Sequence, residues 1–350
     1  MPGSLDEVAR DRAAGEFGGG GVMKRPLLCA RLAETLERRP VIGACGVFLV
    51  FLALYVATLL PNVLPADAGE FQLVAAKAGV AHPPGYPLHT MLGWLFTHLP
   101  LGPSEAWRAS LLSAVTAAAA VALVFQAGRR LSGSGWGGLA SAVALGSATT
   151  IWATATSASI RPLVLFFTAL CLYALTEYGA ATGDDHSRRD RWLIVFALAL
   201  SLGLTHHPSL IFIALVCFGY LLLTDPALLR RPRRWVKPGV AFLAGMLVLA
   251  YMPIRSAAGA VLAPDDLATL QGFLHHFLAL GFRGDLFAFS VGDRLAVLPT
   301  LMYFQFNWVI LLAAAVGAAV LFKRAWRQGI LVVGSFIVHR GRTFFLCDPG

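Results

Sequence analysis

Runs of about twenty apolar residues recur along this chain, separated by short clusters of Arg and Lys, and they limit its fold more than any other feature. A helix of that length crosses about 30 Å of hydrocarbon. Inside lipid every backbone N–H and C=O needs an internal partner, so such runs must be helical. Of the 350 residues, 57% are hydrophobic and 13% charged, and the mean hydropathy is +0.69. Soluble domains carry about 25% charged residues. The sequence therefore predicts an all-α polytopic membrane protein and no large soluble core.

The first run, about 41–60, follows Lys24, Arg25, Arg31, Arg38 and Arg39. It is too long for a signal-peptide core and no small-x-small site follows, so it reads as an uncleaved signal anchor. Basic flanks stay in the cytoplasm, which puts the N-terminus inside and Asp67 outside. Further spans are expected at about 107–128, 136–156, 162–179, 192–205, 208–224, 238–254 and 297–322, with another starting near 330, for about nine in all. The strongly basic loops then share one side: Arg129-Arg130, Arg188 to Arg191, Arg230 to Lys237 and Lys323 to Arg327. They account for the net charge of +9, and no nucleic-acid partner is expected. Cys29, Cys45, Cys171, Cys217 and Cys347 form no CxxC and read as small buried hydrophobes.

Three tracts follow from this pattern. Residues 1–40 read as a cytoplasmic, disordered and basic tail, and 41–338 as the transmembrane domain, with outer loops at 61–106 and 255–296. Residues 339–350 read as an atypical, truncated tail, since Val338-His339-Arg340-Gly341-Arg342 interrupts an apolar run. Within the first outer loop, prolines divide residues 71–100 into one or two short interfacial helices. Leu267 to Phe282 reads as another in the later loop.

This topology gathers Asp67, Glu70, His82, Arg161, His206, His207, Arg255, His275, His276 and Arg283 on the outer face. Ionisable residues at the mouth of a span are costly and point to function. Asp67 and Glu70, at i and i+3, share one face of a helix. They read either as a solvated helix start or as a general base with its neighbour. His82-Pro83-Pro84-Gly85-Tyr86-Pro87 is a stiff segment, either a turn between helices or a loop presenting His82 to a ligand. Arg255 either snorkels or holds a lipid phosphate. There is no GxSxG, Walker loop, Rossmann fingerprint or metal-ligand cluster in the sequence.

A first span, then Asp67-x-x-Glu70, then His82-Pro83-Pro84-Gly85-Tyr86-Pro87-Leu88 resembles the domain of unknown function 2723 family. Its best-understood members are O-mannosyltransferase-like membrane enzymes of the GT-C glycosyltransferase fold. Gly203-Leu204-Thr205-His206-His207, Tyr251-Met252-Pro253-Ile254-Arg255 and the segment from Pro264 to Phe282 extend the resemblance to roughly residues 40–290. It implies a GT-C-like bundle in a plasma membrane, expected to be bacterial, with its active site on the non-cytoplasmic face. It also implies transfer of a sugar, expected to be mannose, from a polyprenyl-phosphate donor to an exported protein or glycan. By position Asp67 is the implied base, with Glu70 as neighbour or alternative. His82, Tyr86, His206, His207, Arg255 and His276 are the implied contacts to substrate or lipid phosphate, with neither metal nor cofactor. Where the family commonly carries an acidic residue between the third and fourth spans, this chain reads Ser157-Ala158-Ser159-Ile160-Arg161-Pro162. A flippase or transporter for lipid-linked solutes, and an inactive membrane scaffold, are the alternative expectations.

Overall fold

A computed structural model describes residues 34–181, 185–281 and 291–345, and within these it is all-helical, with no strand. The tail before residue 34, Asp184, Arg283, Cys29 and Cys347 lie outside the described residues. Helix α1 (Pro40–Ala57) is followed by two short helices, α2 (Ala66–Lys77) and α3 (Pro87–Thr97), which flank the Pro83-Pro84 segment. Then come α4 (Glu105–Ser132), α5 (Gly135–Gly146), α6 (Thr149–Ala155), α7 (Arg161–Ala180), α8 (His186–His206) and α9 (Leu210–Thr224). The chain continues through α10 (Arg233–Met246), α11 (Tyr251–Ala257), α12 (Leu270–Phe277), α13 (Val291–Gln305) and α14 (Trp308–Phe345).

The helix ends follow local chemistry. Pro occupies the first turn of α1, α3 and α7, where its missing N–H costs nothing. Ser104, Ser134 and Asp185 accept from the backbone N–H groups of Trp107, Trp136 and Arg188 and so cap α4, α5 and α8.

Five of these segments are long and apolar enough to cross a membrane: Pro40–Ala57, Glu105–Ser132, Arg161–Ala180, Arg233–Ala257 and Trp308–Val338. The pair α5 and α6 makes six if counted as one span. Among the described residues this does not confirm the expected count of about nine, and several of the expected spans differ in outline. The expected third span is bent by 68° between Gly146 and Thr149. There the Ser147 hydroxyl bonds back to Val143 O at 2.7 Å, a contact that bends helices. The expected eighth span is broken ahead of Trp308, because Asn307 Oδ1 accepts from Ile310 N at 3.0 Å and starts a new helix. That helix, α14, runs through a kink at Ala325 into the expected ninth span and beyond it to Phe345. The fifteen-residue α9 and the charged start of α8 leave those two helices outside the five.

Two apolar cores organise the bundle. One joins α1, α4 and α5 around Phe51, Tyr55, Val121 and Phe125. The other joins α7, α8 and α9 around Phe167, Leu175, Phe196 and Tyr220. The outward faces of α1, α10 and α14 carry exposed Leu49, Val50, Val240, Leu243, Leu312 and Val316, which suits lipid contact. Cys171 and Cys217 are buried as expected, whereas Cys45 is exposed on α1. Lipid tails are as apolar as leucine, so close packing and hydrogen bonds hold inserted helices together. Tyr55 Oη donates to Gly146 O at 2.8 Å, and a Cβ on Gly138 would lie 2.9 Å from Arg129 Cβ.

One end of the bundle is a network of ion pairs. Glu177 meets Arg130 at 3.2 Å and Arg188 at 2.6 Å, and Arg234 meets Asp225 at 2.9 Å and Asp190 at 2.7 Å. The acidic and histidine-rich segments gather at the other end. Gly138→Leu should wedge α5 off α4 and cost about 1–3 kcal/mol, read as a lower melting temperature in detergent. Gly219→Ala, where nothing lies within 4 Å, should leave melting unchanged.

Candidate active site

Helix α2 carries both carboxylates, and Gln72 fixes where it begins. This buried side chain accepts from Leu64 N at 2.9 Å and donates to Asn62 O at 3.2 Å and Ala106 O at 3.3 Å. One amide thus joins the exit from α1, the body of α2 and the start of α4. Ala66, Ala78 and Tyr86 adopt φ of 54°, 49° and 44°, bracketing α2 and opening α3. Non-glycine residues in the left-handed region cost energy, and such outliers gather at functional sites.

Glu70 uses both oxygens on His82. Oε1 accepts the His82 backbone N–H at 2.6 Å and Oε2 lies 2.9 Å from Nδ1. This clasp closes the loop between α2 and α3. Asp67, one turn earlier, is exposed, and among the described residues its carboxylate takes no hydrogen bond or ion pair. One ligand atom each from Asp67, Glu70 and His82 lies within 4.8 Å of the other two. Together these groups could hold a divalent cation, although Glu70 and His82 already satisfy each other.

Behind the clasp is a wall of rings. Phe71 lies 5.4 Å from Tyr86, 5.6 Å from His82 and 5.5 Å from His89. Tyr86 in turn lies 6.0 Å from His206 and 5.8 Å from His207, and His89 stacks on His206 at 5.8 Å. Helices α2, α3 and α8 meet here.

The later loop grips the first from the other side. Arg255 Nε donates to Ala78 O at 2.7 Å, Tyr251 Oη donates to Gly79 O at 2.9 Å, and His276 Nε2 lies 3.1 Å from Ala81 O. Gly85, at φ 91°, is pressed against Met252, and a Cβ there would also come within 3.2 Å of His276 Nε2. Only glycine combines that φ with so close an approach.

The structure thus brings Asp67, Glu70, His82, Tyr86, His206 and His207 into one site, with Arg255 and His276 at its flank. Three of the residues expected from the sequence to contact ligand also have backbone partners. Arg255 Nε and His276 Nε2 hold the first loop, and His206 Nε2 lies 3.0 Å from Ile160 O. His207 Nδ1 accepts from Ser209 N at 3.1 Å. His275 is exposed. Sequence reasoning passed over His89, Gln72, Phe71 and Met252. His89 could have been found three residues after Tyr86 on the same face of α3. The other three carry no signal beyond an ordinary apolar or amide side chain.

The family model for the protein O-mannosyl-transferase TMEM260 N-terminal domain matches residues 67–228. The matched stretch opens on Asp67 and takes in every site residue up to His207. The chain is 33% identical over 260 residues to protein O-mannosyl-transferase TMEM260 of Mus musculus, covering 71% of this chain and 35% of that protein. It is 25% identical over 351 residues to protein O-mannosyl-transferase tmem260 of Dictyostelium discoideum, covering 91% of this chain and 42% of that one. The comparisons support an O-mannosyltransferase-like family. The chain spans less than half the length of these TMEM260 relatives. With the apolar helices, the likeness supports an integral membrane protein.

His89 is buried and its Nδ1 has no partner. Burial, then the neighbouring His206, pushes its pKa down to about 3, and burial lowers that of His276. Unfolded histidine titrates near 6.5. Between pH 6.5 and 3 the unfolded chain therefore binds a proton that the folded site refuses. This contribution to stability is complete above about pH 6.5 and is lost as pH falls toward 3. The melting temperature in detergent should drop between pH 7 and pH 5, and His89→Gln should make that drop shallower. An unchanged slope in the variant would show that His89 is not buried as described.

Proposed function

We propose that this chain transfers mannose from a polyprenyl-phosphate donor to a protein hydroxyl, at the non-cytoplasmic face of the membrane. The observation that carries this reading is the division between the two carboxylates. Glu70 spends both oxygens on His82, while Asp67 keeps both of its own for an incoming group. The likeness to TMEM260 proteins, beginning at Asp67, supports the same assignment.

In this reading the acceptor hydroxyl gives its proton to Asp67 as its oxygen attacks the anomeric carbon. The new C–O bond forms as the bond from that carbon to the phosphate oxygen breaks. The electron pair leaves with the polyprenyl phosphate. No nucleotide takes part. Glu70 and His82 keep the loop and α2 in register, and the ring wall of Phe71, Tyr86, His89 and His206 gives the sugar a stiff apolar floor. The terminal nitrogens of Arg255 are the groups assigned to the leaving phosphate. The non-cytoplasmic placement rests on the basic clusters at the far end of the bundle, which the positive-inside rule keeps in the cytoplasm.

The purified chain in detergent, given labelled polyprenyl-phosphate mannose and an acceptor polypeptide, should transfer label. A positioned base contributes about 10²- to 10⁴-fold, so Asp67→Asn should lose that much transfer while still binding the donor. Glu70→Ala, which frees the His82 loop, should lose roughly 10²-fold. Full transfer by Asp67→Asn would overturn its role as base. Donor binding by the unaltered chain with no transfer at all would overturn the enzymatic reading.

A further inference from the structure

We propose a second anion site, for the phosphate of an acidic lipid headgroup, at the bundle end remote from Asp67. It rests on a different cavity and different residues from the transferase reading. Arg130 lies 25 residues along α4 from Glu105, which is roughly 38 Å at about 1.5 Å per residue. Here a cavity of about 320 Å³ opens between the last turns of α4 and α7 and the kink of α14. Its polar lining is Arg130, Thr176 and Gln328, and its apolar lining includes Leu131, Leu321 and Ala325. The Thr176 hydroxyl donates to Leu172 O at 2.8 Å, so the donors left for a ligand are the Arg130 guanidinium and the Gln328 amide.

The charge around this cavity does not balance. Glu177 is the carboxylate beside it, and its Oε2 is held by Arg188 at 2.6 Å. Its Oε1 lies 3.2 Å from Arg130 Nε but out of line for a hydrogen bond, so that buried Nε–H has no acceptor. Arg129 Nε is buried without an acceptor as well. The next carboxylates, Asp190 and Asp225, are engaged by Arg234 and Arg189. Lys323, Arg324 and Arg327 stand exposed on α14 around Ala325. Beside the cavity one carboxylate thus serves two guanidiniums, those of Arg130 and Arg188.

The position selects the ligand. These residues end apolar helices, at the depth of lipid headgroups. Basic pockets between membrane helices attract anionic headgroups, and a planar guanidinium suits a phosphate. The exposed Leu312, Val316 and Val320 of α14 offer an apolar track for an acyl chain.

The test is native mass spectrometry of the full chain, released from detergent after incubation with phosphatidylglycerol or phosphatidylcholine of matched acyl chains. The chain should retain one phosphatidylglycerol in preference to phosphatidylcholine. Arg130→Gln should weaken that retention about ten-fold, the scale of one charge-assisted hydrogen bond. Arg38→Gln, exposed ahead of α1, should not weaken it. If Arg130→Gln fails to fold, Gln328→Leu on the opposite wall should weaken retention instead. Equal retention of both lipids, or by both chains, would overturn the site. Equimolar glycerol phosphate or inorganic phosphate should fail to displace the lipid. Displacement would mark a site for free phosphate and overturn the lipid assignment.

Discussion

Glu70 receives the His82 backbone N–H on one carboxylate oxygen and faces the His82 ring with the other. Hydrogen bonds to a charged acceptor are about twice as strong as neutral ones, and this pair ties α2 to the middle of the loop that leads to α3. The consequences reach both ways along the chain. Upstream, α2 is held so that Asp67 projects from its first turn without a partner of its own. Downstream, the backbone reaches Tyr86 in a left-handed conformation, which turns the Tyr86 ring inward against Phe71 and the histidines of α8.

The rest of this end of the bundle reinforces that arrangement. Gln72 anchors α2 to its neighbours from within, and Arg255, Tyr251 and His276 hold the carbonyls of Ala78, Gly79 and Ala81 from without. Backbone carbonyls gripped in succession leave the loop little freedom. A site built this way is pre-organised, which places a reacting group without further ordering. The opposite end of the bundle works by other means. There the charges pair with one another, and beside the cavity Arg130 and Arg188 share the carboxylate of Glu177.

Much of this was legible in the sequence, for identifiable reasons. Apolar runs of span length could only be helices, and Pro83-Pro84 could only divide the first outer loop, so α1, α2, α3, α4 and α7 were foreseen. Asp67, Glu70 and His82 stood out because ionisable residues beside a span are costly. The count of spans was not legible, since a serine bonding back to Val143 and an asparagine capping α14 act over three or four residues, below the scale of a hydropathy pattern. Nor was the use made of Arg255, His206 and His276. Their residue types suit a phosphate and a backbone carbonyl equally, and only the fold sets which one is near. Gln72 and Met252 matter through Ala106 and Gly85, far from them along the chain, and no local pattern records such contacts.

Glu70 and His82 act as one unit that sets Asp67 in place. A double-mutant cycle on mannose transfer, comparing Glu70→Ala, His82→Ala and the double variant, measures that directly. If the two side chains form one clasp, the double variant should be no slower than the worse of the two single variants. Losses that simply multiply would mean that Glu70 and His82 act independently, and would contradict it.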